Sequence, residues 1–136
     1  MISHDQLQNS TMLPPRPKEE LPDSLNACDV AVIALSAGMS GVSVPSRMYN
    51  IMAAGKPIIA IADMDSELAL VIAEEDAGWV VPPGQPDNIV DTILHAQSHP
   101  GECTQKGTNG RRAVEKKYSF AQALAAYENL IEELPQ

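Results

Sequence analysis

Hydrophobic residues along the chain alternate between two patterns. Residues 29–35 (DVAVIAL), 57–62 (PIIAIA) and 79–81 (WVV) are short continuous apolar runs rich in β-branched residues. Such runs are typical of strands that are buried on both faces of a parallel sheet. Apolar residues at helical spacing follow each run, so the pattern predicts alternating strands and helices with right-handed crossovers. The predicted fold class is α/β, a Rossmann-like parallel sheet with flanking helices.

The helices are marked by typical start and stop residues. One short helix is predicted to end near Ala27, a second to begin at Pro45 and stop at Gly55, and a third to be capped by Ser66. A further helix carries Ile89, Val90, Ile93 and Leu94. Residues 100–110 are polar and contain glycine, which predicts a frayed helix start that becomes firm only around residues 113–118.

The end of the chain predicts a packed terminal helix. Ser119 and Gln122 form a capping box, and one face carries apolar residues at helical spacing: Phe120, Leu124, Tyr127, Ile131 and Leu134. The other end of the chain is different. Residues 1–12 are polar and aperiodic, which predicts a weakly ordered segment with an edge strand only near residues 11–13.

The chain of 136 residues has the length of one domain. Only three or four strands are predicted, whereas a complete doubly wound sheet has about five or six. Residues 1–136 are therefore expected to form a single partial domain that corresponds to the second half of such a sheet.

The net charge and the cysteine content of the chain exclude several classes of function. Eighteen acidic and nine basic residues give a net charge of −9, which repels nucleic acid and anionic membranes. An anionic ligand must then be held by local backbone dipoles and a few cations. Two cysteines without a Cys-x-x-Cys pair, and no apolar run of membrane-spanning length, indicate a cytoplasmic protein.

Residues 36–46 are the candidate ligand-binding loop. Ligands of open α/β sheets lie beyond the carboxyl ends of the strands, and this loop follows a strand and leads into the helix at Pro45. Its small residues allow backbone N–H groups to approach a phosphate, with Gly38, Gly41, Ser43 and Ser46 as contact points. A plain turn needs small residues as well, and no Walker or G-x-G-x-x-G pattern is present. Spacing alone therefore slightly favours a plain turn.

The segment GVSVPSRMYNIMAAGKPIIAIAD resembles the donor site of group 1, family 4 retaining glycosyltransferases of bacterial surface polysaccharide synthesis. The resemblance continues through LPPRPKEELPDSLNACDVAVI, AGWVVPPGQPDNIVDTI and KKYSF, so it covers nearly the whole chain. It implies the C-terminal, donor-binding domain of the GT-B fold. A complete enzyme of this type transfers a hexose from a nucleotide diphosphate to a polysaccharide or lipid-linked acceptor.

The same resemblance implies a set of donor-binding residues: Ser40, Gly41, Val42, Ser43, Val44, Pro45, Ser46, Arg47 and Asn50. Val42 and Asn50 occupy the positions of a pair of family glutamates. Asn50 can still bond a ribose hydroxyl, although more weakly than a carboxylate. The implied ligand is a UDP- or GDP-hexose, and no cofactor, metal or catalytic residue is expected.

The family's diphosphate clamp includes an Arg and a Lys from earlier strands, and its acceptor lies across a cleft formed with an N-terminal domain. Neither is recognised in this chain, which is therefore expected to be inactive alone. The alternative function is a non-catalytic, truncated module that self-associates into a homodimer through an unpaired sheet edge. Half of an epimerase or dehydrogenase is a third hypothesis, without a dinucleotide fingerprint to support it.

Other polar and aromatic features favour structural roles. Asp63-Met64-Asp65 spells a metal-binding Asp-x-Asp pair, but a role beside the Ser66 helix cap is favoured. The histidines lack metal-ligand spacing and are expected at the surface, and Trp79 is expected to pack in the core rather than on a sugar.

Overall fold

The parallel sheet has three strands. A computed structural model of the protein describes residues 9–39, 41 and 45–132. Strands β1 (Ala31–Ala34), β2 (Ile58–Ile61) and β3 (Gly78–Val81) lie in the order β1-β2-β3, and both pairs are parallel. All three predicted strands and the Rossmann-like arrangement are confirmed.

The described part of the chain contains six α-helices besides the sheet. They are α1 (Leu21–Asn26, after a 3-10 turn at Lys18–Glu20), α2 (Arg47–Ala53), α3 (Glu67–Glu74), α4 (Pro86–Ser98), α5 (Pro100–Ala113) and α6 (Phe120–Glu132). A π-helix, Val114–Tyr118, joins α5 to α6.

The core lies between one face of the sheet and helices α2 and α3. Ile33 is 2% exposed, whereas its neighbour Val32 is 53% exposed, so β1 is well covered on one face only. The residues packed on the covered face are fully or almost fully buried: Met48, Ile51, Met52, Ile58, Ala60, Leu68, Val71 and Ile72. Burial of large aliphatic side chains contributes about 1.5–3 kcal/mol each, so this layer supplies most of the stability.

Ser66 caps α3 as its sequence context predicts. Its hydroxyl accepts a hydrogen bond from the backbone N–H of Ala69 at 3.3 Å, and the side chain is 1% exposed. The Ser66 hydroxyl also donates to the carbonyl of Asp63 at 2.6 Å, so it is satisfied despite its burial.

Helix α5 contradicts the prediction of a frayed start over residues 100–110. It is continuous for 14 residues, and its buried positions are Gly107, Gly110 and Ala113. A Cβ at Gly107 would overlap the carbonyl oxygen of Gly55, and one at Gly110 would touch Met52 and Ala77. The helix therefore packs by close backbone approach, which a search for large apolar residues does not detect.

Polar contacts also hold α5 to the turn between α3 and β3. Asp76 in that turn has a positive φ of 47°, and its carboxylate accepts from Lys106 at 2.6 Å and from Asn109 at 3.1 Å. The left-handed conformation is unfavourable for a residue with a Cβ. The two contacts from α5 stabilise the turn in this conformation.

Three further predictions need correction. Residues 11–13 form no strand, because no described segment offers them a partner. Helix α2 begins at Arg47, not at Pro45, whose carbonyl instead accepts from the Met48 N–H in a preceding turn. Helix α6 forms, but the apolar face predicted to pack is exposed, with Phe120 at 83% and Tyr127 at 67%. Leu134 of that face lies outside the described residues.

Replacement of Gly107 by alanine should destabilise the protein. The added methyl group meets the backbone of Gly55, which cannot move without disturbing the α2–β2 turn. We expect the free energy of unfolding to fall by about 1–3 kcal/mol, the usual cost of overpacking. Urea denaturation followed by circular dichroism measures the change.

Gly101→Ala is the matched control, because Gly101 lies in the same helix and has open space around it. Its free energy of unfolding should be unchanged or raised by up to about 1 kcal/mol through helix propensity. If the two substitutions change the free energy of unfolding equally, the close approach of Gly107 to Gly55 is not important for stability.

Candidate functional site

The loop between β1 and α2 lies at the carboxyl edge of the sheet. The strands are parallel, so the segments that follow β1, β2 and β3 all leave from this same edge. Five of the predicted donor-binding residues are in the described part of the chain: Gly41, Pro45, Ser46, Arg47 and Asn50. Ser40, Val42, Ser43 and Val44 lie outside the described residues.

Pro45, Ser46 and Arg47 lie at the start of α2, and Asn50 lies one turn further along the helix. Pro45 is buried and anchors the end of the loop, whereas Ser46, Arg47 and Asn50 are exposed. Ser46 makes no side-chain capping hydrogen bond to α2, so its hydroxyl is not used to cap that helix. Helix α2 has only seven residues, which makes its dipole a modest attraction for an anion. The Arg47 guanidinium adds a full positive charge at the first position of α2.

The amide of Gly38 differs from its predicted role as a phosphate contact. Its N–H donates to Oδ2 of Asp63 at 2.7 Å and is thereby engaged within the protein. Gly38 and Gly41 have positive φ angles of 79° and 72°, which explains why glycine suits both positions. Asp63 was missed as a contributor to this loop, because the only sequence signal was its place in the Asp-x-Asp pair.

A cluster of polar side chains packs against helix α2 through the ring of Tyr49. The rings of Tyr49 on α2 and Tyr118 in the π-helix have centroids 5.1 Å apart, and the Tyr118 hydroxyl donates to Glu75 at 3.0 Å. Lys117 forms ion pairs with Glu75 at 2.7 Å and Glu74 at 3.1 Å. The cluster joins α2, the end of α3 and the π-helix.

The tyrosine and lysine side chains of this cluster have raised pKa values. Burial and the hydrogen bond to Glu75 together raise the pKa of Tyr118 to about 12. Hydrogen bonds to Glu75 and Glu74 hold the pKa of Lys117 well above its usual range, and burial raises the pKa of Tyr49. Tyr118 therefore stays protonated, and able to donate, at physiological pH.

Trp79, His95 and His99 lie in β3, in α4 and at the end of α4, whereas His4 lies outside the described residues. The His95 ring stacks on His99 at 4.2 Å and lies 2.7 Å from Glu102, and its hydrogen bond lowers the pKa of that carboxyl. Trp79 is half-buried with Lys106 over its ring at 5.2 Å, an arrangement that joins β3 to α5. Across the described ranges, no group of three or more metal-ligating side chains could hold an ion.

A groove of about 960 Å³ lies on the open face of the sheet. Val32 and Ile59 form its floor, Ile93 and Cys103 its wall, and Lys56 lies at the amino end of β2. Burial raises the pKa of the Cys103 thiol, which therefore stays neutral. None of the predicted donor-binding residues that the structure describes lines this groove.

None of the described helices is both long and apolar enough to cross a bilayer.

Comparison with known proteins gives consistent results. The model of the family described as "Glycosyl transferases group 1" matches residues 2–113. The chain is 44% identical over 98 residues to "Probable glycosyltransferase WbjE" of Pseudomonas aeruginosa, an alignment that covers 70% of this chain and 23% of that protein.

A solved structure shows the same fold. Sucrose-phosphate synthase from Thermosynechococcus elongatus superposes with a TM-score of 0.71 and 23% identity, and the match covers 91% of this chain. It covers only 31% of the synthase chain. The chain thus spans about a quarter to a third of the proteins it matches.

The Tyr118 hydroxyl should make stability depend on alkaline pH. In the unfolded chain tyrosine ionises near pH 10, whereas the folded protein keeps this proton until about pH 12. The native state then binds more protons than the unfolded state, so the free energy of unfolding falls as pH rises from 10 to 12. The stability difference between the wild type and Tyr118→Phe should therefore shrink over this range.

Urea midpoints at several pH values from 8 to 11.5 measure this difference. Tyr127→Phe is the control for loss of a tyrosine hydroxyl, because Tyr127 is 67% exposed whereas Tyr118 is bonded to Glu75. A constant difference for Tyr118→Phe would contradict the assigned hydrogen bond to Glu75.

Proposed function

Because this chain belongs to the group 1 glycosyl transferases, we propose that it forms the nucleotide-sugar-binding part of such an enzyme. The observation that carries the proposal is the position of the β1–α2 loop. It lies within the family match, at the carboxyl edge of a parallel sheet, where α/β proteins bind nucleotides. The complete protein would transfer a hexose, with retention, to a polysaccharide or lipid-linked acceptor in the cytoplasm.

In this proposal the loop and the start of α2 hold a UDP- or GDP-hexose. Backbone N–H groups between Gly41 and Ser46 contact the diphosphate, and Pro45, which has no N–H, keeps the loop end fixed by its burial. Arg47 pairs with a phosphate oxygen, and its charge offsets part of the repulsion from a chain of net charge −9. The proposed sugar contacts near residues 40–43 fall mostly outside the described part.

Asn50 is proposed to bond the ribose. It is exposed and lies one turn after Ser46 and Arg47, so a nucleoside attached to a diphosphate at the helix start can reach it. An amide offers a donor and an acceptor, but no charge. Neutral residues at Asn50 and Val42 predict weaker donor binding than in relatives that carry glutamates there.

Transfer itself requires parts that this chain is not proposed to supply. An acceptor must be held in attack geometry against the donor sugar, and a second domain supplies that surface in the proposed complete enzyme. We therefore propose that residues 1–136 bind the donor and show no turnover alone.

Arg47→Ala should weaken donor binding. Titration of UDP-glucose or GDP-mannose into the isotope-labelled chain should shift the amide NMR signals of Gly41, Ser46 and Arg47. Loss of an exposed charge-assisted contact is expected to raise the dissociation constant by roughly 5- to 10-fold.

Arg112→Ala is the matched control, since Arg112 is also exposed and its loss changes the net charge equally. It lies in α5, not at the β1–α2 loop. Amide NMR signals of the loop that do not shift at millimolar ligand would overturn the proposal. If both variants raise the dissociation constant equally, the effect comes from the net charge of the protein and not from a site at Arg47.

Two observations favour a second candidate, a non-catalytic module that self-associates. In the described sheet β1 is an outer strand with an unpaired edge. Helix α6 also exposes apolar residues at intervals of four, three and four: Phe120, Leu124, Tyr127 and Ile131. Unpaired edges and apolar helix faces both promote association with another chain.

This candidate predicts a dimer at tens of micromolar protein that Tyr127→Glu dissociates. A charge in the middle of the apolar face would have to be buried on association, which is unfavourable. Sedimentation velocity measures the outcome. Met64→Glu is the control, because Met64 is 60% exposed and distant in sequence from both surfaces. A strictly monomeric wild type would refute self-association.

A further inference from the structure

Asp63 joins two loops at the carboxyl edge of the sheet. It follows β2, and its Oδ2 accepts a hydrogen bond from the backbone N–H of Gly38, in the loop that follows the neighbouring strand β1. The N–O distance of 2.7 Å is typical of a charge-assisted bond. Asp63 is half-buried, so solvent competes less for its carboxylate than for an exposed one.

The main chain of Asp63 is held rigidly by the start of α3. Its carbonyl accepts from the Ser66 N–H at 3.0 Å and from the Ser66 hydroxyl at 2.6 Å. Ser66 in turn caps α3 and is 1% exposed, and α3 is anchored in the core by Leu68 and Ile72. The carboxylate of Asp63 therefore extends from backbone that is held in place by helix α3, one of the best-packed elements of the protein.

The β1–α2 loop has little comparable packing at its first turn. Gly38 is exposed, and apart from its chain neighbours no described residue has an atom within 4 Å of the position where its Cβ would be. Gly38 has a φ of 79°, a conformation that glycine leaves readily. A hydrogen bond to a fixed carboxylate restrains this residue where side-chain contacts do not.

We propose that Asp63 is a positioning residue that fixes the β1–α2 loop in the geometry that receives the donor diphosphate. This inference rests on the proposed donor-binding function. Asp63 acts through Gly38 and touches no substrate: its bond to the Gly38 N–H orders the first turn of the loop. Its negative charge is directed at the Gly38 amide, which reduces its repulsion of a diphosphate.

Asp65 provides an internal comparison. It belongs to the same Asp-x-Asp pair, but it is exposed and makes no side-chain hydrogen bond to any described residue. The two carboxylates carry the same charge at nearly the same place. A positioning role therefore predicts that only Asp63 matters, whereas a general electrostatic effect predicts that both do.

The first test measures amide hydrogen exchange at Gly38 and needs no ligand. Asp63→Ala should speed this exchange by about 10-fold or more, and Asp63→Asn, which keeps a neutral acceptor, by about 3-fold. Asp65→Ala should leave it unchanged. Circular dichroism and urea midpoints check that the variants are folded, which is expected because the backbone of Asp63, not its side chain, bonds to Ser66.

The second test measures the dissociation constant of UDP-glucose or GDP-mannose for the same variants. Asp63→Ala should weaken binding by roughly 5- to 10-fold, Asp63→Asn by less than about 3-fold, and Asp65→Ala not at all. Unchanged Gly38 exchange in Asp63→Ala would overturn the inference. Tighter binding by both Asp63 variants would overturn it too, because the carboxylate would then act by repulsion.

The two tests separate this inference from the function on which it rests. If the wild type binds neither nucleotide sugar, the donor-binding function fails and the donor role of Asp63 fails with it. The exchange measurement then still decides whether Asp63 holds the loop. If the wild type binds donor and Asp63→Ala binds equally well despite faster Gly38 exchange, the donor-binding function stands and the positioning role is refuted.

Discussion

Parallel pairing on both sides of β2 is the constraint on which the rest of the structure depends. Ile58, Ile59 and Ala60 in this strand are at most 1% exposed, and its two edges are taken by β1 and β3. Parallel strands require a crossover between each pair, which places α2 and α3 over the covered face. The same geometry brings the loops after β1 and β2 to one edge, where Asp63 reaches Gly38.

The acidic charge of the chain makes local geometry important for binding an anion. The short helix α2 and the Arg47 guanidinium at its start offer limited attraction, and Asp63 adds a negative charge at the same edge. In the proposed site, order in the loop compensates for weak charge. Tyr118, which donates a hydrogen bond to Glu75, packs against Tyr49 and so helps to hold α2 in place.

The family match and the fold agree with each other. Because the chain spans only part of the proteins it matches, it is proposed to bind the donor and not to carry out the whole transfer. It corresponds to 23% of one relative and 31% of one structural neighbour. Its groove over Val32, its outer strand and the face of α6 are apolar surfaces that the described residues leave partly uncovered. The proposed donor-binding part of a larger enzyme and the proposed self-associating module make different use of these surfaces.

The order of strands and helices, the Ser66 cap and the family were all determined by the sequence itself. β-branched runs, helical spacing and capping residues are local signals, and they predict local structure and which side of an element is apolar. Four features were decided only in the tertiary structure: the close approach of Gly107 to Gly55, the bond from Gly38 to Asp63, the exposure of the α6 face and the absence of an edge strand at residues 11–13. Each depends on whether a residue distant in sequence is present at the right place, and no periodicity within a single element contains that information.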